Sequence, residues 1–334
     1  MNVHTDSHRT PTVLVRDVVN WQDDAAMDQS AFKWFDAQGR LIRTIRHSRI
    51  KLTQGAAVDS HCLWITGVAY NPYARPKSTQ ETETISCIDL KSNAVKDYFI
   101  PGFQGVHPSV SPTTGKVFVG CATGPKVAVI QNGKATVINL KQYFPQIDSG
   151  LKRTRSYLSI KGSYYQTINM EDGSIGIIKI DERSNKPTKL KVFPGRSIGS
   201  IYEFKGDLYA VNREIQKDKN FYLSRMDLNL EEKSKKLLPK GIYGYEIFHM
   251  NEKGLYFLSE DGKTVFFADL KTFSPKKLFS FSQTISSSDQ IVVHKDQIYV
   301  GSQVGGQDLT ILNLKTGSKK TIKAAQSMDG LESL

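Results

Sequence analysis

The chain reads as an all-β protein, a seven-bladed β-propeller, and three observations predict it. The first is a mark that recurs seven times, an apolar run that ends on Asp or Asn (once Gln) and passes into a polar turn. It falls at Asp36, Asp89, Gln131, Asp181, Asp227, Asp269 and Asn313, with gaps of 42 to 53 residues. The second is a strand rich in aromatic and β-branched residues near most of these marks: CLWITG, KVFVGC, SYYQTI, DLYAVN, GLYFLS and QIYVGS. The third is the absence of any long helical periodicity between them. Short strands in repeating units of about 40–50 residues are the sequence sign of four-stranded blades set around an axis.

Taken in order, the N-terminus supplies three strands, TVLVRDVV, FKWFD and LIRTIRH. With strands lettered A to D from the axis outward, these fit B, C and D of a blade that lacks its A strand. Six complete units follow, beginning near Gly55, Val106, Tyr157, Ser200, Tyr245 and Asp289. Turn pairs such as Asp261-Gly262 and Thr316-Gly317 separate their strands. One strand is left over, DGLESL at 329–334. It is expected beside residues 13–18, as the missing A strand of the first blade. That pairing closes the ring and removes two open sheet edges. On this reading 1–334 is a single domain, with 1–11 as a flexible N-terminal segment.

Composition bounds the rest. A chain of 334 residues, 39% hydrophobic and 23% charged, can bury a full core. No run of 18 apolar residues occurs, so no transmembrane helix is expected. The first residues, MNVHTDSHRTPT, carry no apolar signal core. The compartment therefore stays open between the cytoplasm and, if a signal has been removed, the cell surface or exterior. Net charge is +12, with the bases scattered through turns. Weak, salt-sensitive binding to polyanions is expected from such scatter. The densest basic run, RLIRTIRHSRIK at 40–51, reads as a charged edge strand rather than a nucleic-acid site. Cys62, Cys87 and Cys121 sit in apolar runs without CxxC spacing. They read as buried free thiols, with no disulfide among them.

GVHPSVSPTTGKVFVG, residues 105–120, resembles the YVTN type of propeller repeat. AVDSHCLWITG, residues 57–67, is similar to a strand pair of NHL-like, gluconolactonase-like and yellow-protein-like propellers. The resemblance spans the chain as architecture and two blades as motif. It implies blade packing, and a fold that hosts many functions leaves function to be argued from a site. SEDGKT at 259–264 resembles a sialidase Asp-box one residue short and reads as an Asp-Gly hairpin. Ser-His-Asp order, Walker loops and HExxH are absent.

Two features point to where a site belongs. The longest connections, 19–31, 71–83, 140–155 and 213–220, are all of the B–C or D–A kind and so share one face of a propeller. The second feature is a set of acids, Glu203, Glu246, Asp289 and Glu332, each 43 residues from the next. They fall on A strands of neighbouring blades, where four carboxylates are expected to point into a central channel. Charges that close need a counter-charge. A Ca²⁺ ion on these four as metal ligands, a basic ligand, or Arg155 and His107 would each serve, as would a channel that is simply solvated. Tyr157 and Tyr245, near the same positions, suit a sugar or cationic ligand as well as inter-blade packing. The favoured reading is a non-catalytic propeller, bacterial and exported or surface-associated. It would bind a protein, a small molecule or a carbohydrate on the long-loop face. The alternative is a metal-dependent lyase or lactonase-type hydrolase acting on a small molecule in the channel. Oligomeric state is left open.

Overall fold

Seven four-stranded antiparallel sheets account for nearly all the regular structure. The computed structural model describes residues 10–19, 29–47, 50–69, 82–122, 124–148, 157–214, 220–239, 247–259, 261–282, 284–285, 290–302 and 306–334. The fold is a seven-bladed β-propeller. Blade I combines both ends of the chain, in the order β28 (Met328–Ser333), β1 (Pro11–Val19), β2 (Gln29–Asp36) and β3 (Leu41–His47). Blade II is β4 (Ile50–Val58), β5 (Cys62–Ala69), β6 (Thr82–Asp89) and β7 (Val95–Phe99). Blade III is β8 (Gly105–Val110), β9 (Val117–Cys121), β10 (Lys126–Gln131) and β11 (Lys134–Asn139). Blade IV is β12 (Tyr157–Ile160), β13 (Ser163–Asn169), β14 (Ile175–Asp181) and β15 (Lys186–Phe193). Blade V is β16 (Arg196–Phe204), β17 (Asp207–Glu214), β18 (Phe221–Met226) and β19 (Glu232–Leu237). Blade VI is β20 (Ile247–Met250), β21 (Gly254–Leu258), β22 (Thr264–Asp269) and β23 (Pro275–Ser280). Blade VII is β24 (Ile291–His294), β25 (Gln297–Gly301), β26 (Asp308–Asn313) and β27 (Lys319–Lys323).

The blades group into two compact units. One holds residues 1–97 and 281–334, the other residues 98–280. In the first, blades VII, I and II pack in succession. Val13 and Val15 of β1 enter a layer with Tyr299, Leu309 and Ile311 of blade VII. Leu14, between them, enters a layer with Leu63, Ile65 and Ile88 of blade II. Strand alternation thus feeds two cores from one strand, and all three residues are fully buried. This is why TVLV lacks the apolar–polar alternation of a half-exposed strand. In the second unit, Phe118 stacks on Tyr164 between blades III and IV, and similar layers join IV to V and V to VI.

The last strand closes blade I as expected, one residue earlier than read. β28 pairs antiparallel with β1 from Val13↔Ser333 to Asp17↔Met328. Asp17 pins the join. Its Oδ1 accepts the backbone N–H groups of Gln326 and Ser327, each at 2.8 Å, and Lys33 Nζ lies 2.7 Å from Oδ2. Blade II starts at Ile50, ahead of the expected Gly55, because β4 carries two bulges before that glycine.

The recurring Asp and Asn mark has a local cause. Each sits at the C–D turn, and its side-chain oxygen accepts backbone N–H groups two to four residues on. Asp36 takes Gln38 and Arg40, Asp89 takes Lys91 and Ser92, Asp227 takes Asn229 and Glu231, and Asp269 takes Lys271 and Thr272. Asn313 does the same for Lys315 and Thr316. Gln131 breaks the pattern because β10 and β11 join through Asn132-Gly133, both at positive φ, and that two-residue hairpin needs no side-chain cap.

Candidate functional site

The eight residues singled out by sequence are placed unequally. Glu246, Asp289, Arg155 and Tyr245 lie outside the described residues. Of the others, His107 and Tyr157 come together, their rings 5.2 Å apart and tilted, on the A strands β8 and β12. His107 sits at a β-bulge with φ +36°, which turns its ring out of the ladder. Glu203 is exposed, and its carboxylate accepts the Gly206 N–H at 2.8 Å, capping the β16–β17 hairpin. Phe204 beside it packs on the V–VI core, where Ile247 is also buried.

Glu332 faces the neighbouring blade. It pairs across the sheet with fully buried Leu14, so the two side chains share a face. Its Oε1 lies 3.4 Å from Arg16 Nε and accepts the Ala56 N–H at 3.4 Å. Arg16 is 3% exposed and donates to the Thr53 carbonyl at 3.0 Å. The guanidinium occupies the space over Gly330, where a Cβ would stand 2.0 Å from Nη2. Only a glycine leaves that room. Among the described residues, no three His, Cys, Asp or Glu side chains gather as a metal ion would require.

A serine, a histidine and an aspartate do meet between blades I and II. The buried Ser86 hydroxyl donates to Asp97 Oδ1 at 2.6 Å, and His47 Nε2 lies 3.6 Å from the same oxygen. The carboxylate stands in the middle, whereas a nucleophile needs its hydroxyl on the imidazole. Both Ser86 and His47 are at most 2% exposed. The trio clamps two blades and is not an acyl-transfer site. Likewise the Ser259–Thr264 turn is a hairpin, with the Ser259 hydroxyl on Asp261 and Gly262 N–H on the Ser259 carbonyl.

Sequence reading missed a cleft at the seam of blades VII and I. It is about 500 Å³ and opens where the A–B and C–D turns of blade VII meet the start of β1 and the C–D turn of blade I. Its wall is formed by Thr10, Thr12 and the 36–40 turn on one side, and by His294–Gln297, Asn313 and Lys315 on the other. The floor is fixed by a chain of hydrogen bonds. The hydroxyls of Thr12 and Tyr299 lie 2.8 Å apart, Tyr299 donates to Gln297 Oε1 at 2.5 Å, and Gln297 Nε2 donates to the Ala37 carbonyl at 2.9 Å.

Charge in the cleft leans positive. Burial works to raise the Asp36 carboxyl but is overcome by donors from Arg40 and Gln38, so it titrates below the ordinary carboxylate range. Arg40 Nε reaches Asp36 Oδ2 at 2.7 Å, and Lys315 Nζ reaches Asp296 Oδ2 at 2.7 Å. Burial, with Lys295 alongside, lowers the His294 imidazole, which is therefore neutral at pH 7. Lys295 is exposed on the hairpin at φ +54°, with no ion pair among the described residues. The signal that could have located this cleft is the basic content of two short turns, HKDQ at 294–297 and DAQGR at 36–40.

No family model matches the chain, and no curated protein does. Solved structures match on fold. A structure from Bacteroides fragilis, provisionally assigned as a 6-phosphogluconolactonase, aligns with TM-score 0.64 at 11% identity, over 98% of this chain and 99% of that one. One from Bacteroides uniformis with the same provisional assignment aligns with TM-score 0.63 at 9% identity, over 97% and 99%. The dihydro-heme d1 dehydrogenase NirN aligns with TM-score 0.54 at 9% identity, over 99% of this chain and 77% of that one. At these identities the likeness establishes the β-propeller architecture.

Proposed function

We propose that this protein is a non-catalytic binding propeller, and that the cleft at the seam of blades VII and I takes a small hydroxylated anion of the sugar-acid or sugar-phosphate class. The cleft wall carries the reading. Arg40, Lys295 and Lys315 stand against Asp36 and Asp296, and each carboxylate is already engaged by one of the cations. Lys295 is the charge left over. His294, Thr10 and Asn313 add polar groups that can meet hydroxyls. A cleft of about 500 Å³ falls within the usual range for small-molecule sites.

A second reading, a lactonase-type hydrolase, is favoured by the fold likeness to two structures provisionally assigned as 6-phosphogluconolactonases. The lactone of a phosphorylated sugar acid is itself a small hydroxylated anion, so one experiment separates the two. Calorimetric titration with gluconate and 6-phosphogluconate is run on the intact chain and on Lys295→Glu, and lactone hydrolysis is followed by acid release. Binding to the intact chain, weakened at least about tenfold by the charge reversal, with lactone lost only at its uncatalysed rate, supports the binding reading. Saturable lactone hydrolysis moves the assignment to the hydrolase. No heat with either anion removes the cleft as a site.

A further inference from the structure

Blade II holds a feature that ligand binding does not use. β5 and β6 pair so that Cys62 stands opposite Asp89 and Trp64 stands opposite Cys87. The two cysteines are diagonal neighbours on one face of the sheet. Their sulfurs are 2.7 Å apart, both residues are half-buried, and both are free thiols. A disulfide needs Cβ atoms about 3.8 Å apart and a particular pair of side-chain rotations. Sulfurs 2.7 Å apart on two paired strands have little distance left to close.

We propose that Cys62 and Cys87 form a redox-sensitive dithiol, which a small-molecule disulfide oxidises to a cross-strand disulfide within blade II. The order of events follows from the surroundings. Burial pushes both thiols up. The hydrogen bond between them favours the Cys62 thiolate and disfavours that of Cys87. Cys62 is therefore the attacking sulfur. Its thiolate attacks one sulfur of the small disulfide, forming a mixed disulfide and expelling one small thiolate, which takes up the released proton. Cys87, deprotonating in turn, attacks the Cys62 sulfur and expels the second small thiol. Two protein thiols lose two electrons and two protons, and one external disulfide becomes two thiols.

The carboxylates of Asp59 and Asp89 also act on this pair, and both raise the thiols. A negative surround repels an anionic oxidant and attracts a cationic one. Cystamine is therefore the probe of choice, with glutathione disulfide the slower comparison. Trp64 reports the change, because its Nε1 donates to Asp59 at 2.8 Å and its ring lies opposite Cys87.

The test treats the folded full-length chain with cystamine and measures intact mass and free thiols. The expected product has lost the mass of two hydrogens and keeps one thiol, Cys121, of the three. Trp fluorescence should change in step, the melting midpoint should rise, and dithiothreitol should reverse all of these. Cys87→Ser should stop at a stable cysteamine adduct on Cys62, and Cys62→Ser should leave Cys87 unmodified or at least about tenfold slower. The proposal is overturned if three thiols persist in the intact folded chain, or if a wild-type adduct forms and never resolves. It is overturned equally if the disulfide appears only after unfolding in urea. The wild-type mass measurement decides the question even where a variant fails to fold.

Discussion

Replacing Asp17 with alanine tests how the two ends of the chain are held together in blade I. The side chain is fully buried. It accepts two backbone N–H groups from the segment leading into β28 and faces the Lys33 ammonium. Alanine leaves the Gln326 and Ser327 donors without their acceptor, and leaves Lys33, which is 20% exposed, with the Ala324 carbonyl at 3.1 Å. A hydrogen bond to a charged group contributes about 1.5–3 kcal/mol, and removing one partner of a buried ion pair costs about 3–5 kcal/mol. These figures share one carboxylate and are not summed. Partial solvation of Lys33 lowers the second. The expected loss is about 3 kcal/mol. Urea unfolding followed by tryptophan fluorescence would show it as a lower midpoint at unchanged slope. Asp17→Asn keeps an acceptor oxygen and should lose about 1–2 kcal/mol. A change below about 0.5 kcal/mol for the alanine variant, the ordinary range for a surface site, would refute the pin.

Further tests follow from the same seam and from one histidine. Deleting residues 328–334 removes the strand paired with β1 along with buried Met328 and Leu331. The melting midpoint should fall steeply, and an unchanged midpoint would sink the closure. Gly330→Ala puts a Cβ 2.0 Å from Arg16 Nη2 and should cost about 1–3 kcal/mol in urea titrations. Adding Arg16→Ala should then show non-additive recovery. His249, packed against Tyr256, is held by burial at about 4, below its usual 6.5. The unfolded chain therefore binds a proton in that window that the folded chain refuses. Stability is full above about pH 6.5 and falls by up to about 3 kcal/mol as pH drops toward 4. His249→Gln should flatten that slope in unfolding midpoints measured at pH 7 and pH 5.

The fold was legible because its signals are local and repeated. Asp36, Asp89, Asp181, Asp227, Asp269 and Asn313 each cap a turn within a few residues of themselves, so each blade writes its own punctuation into the chain. The same regularity says less about side-chain surroundings. The 43-residue spacing puts Glu203 and Glu332 each one residue before the end of an A strand. One nevertheless caps a hairpin, and the other meets Arg16 and the Ala56 N–H of the next blade. Bulges in β4, β8, β16 and β20 shift residues against the backbone repeat, and a count along the chain cannot register them.

The cleft is the opposite case. Its floor joins Thr12 to Tyr299 across 287 positions, and its two walls come from opposite ends of the sequence. No periodicity marks residues that meet only because β28 returns to β1. The shared turn marks Asp36 and Asn313 line the cleft, but their repeat does not show that they meet. The seam of blades VII and I is the place where the repeat is completed by a strand from the far end of the chain. There HKDQ and DAQGR bring Lys295 and Arg40 to one opening, and the turn after Asn313 adds Lys315. If Lys295→Glu abolishes anion binding while leaving the urea midpoint unchanged, the cleft is a site laid over a closed scaffold. If binding and stability fall together, the same residues serve closure, and the ligand must be sought on the long-loop face.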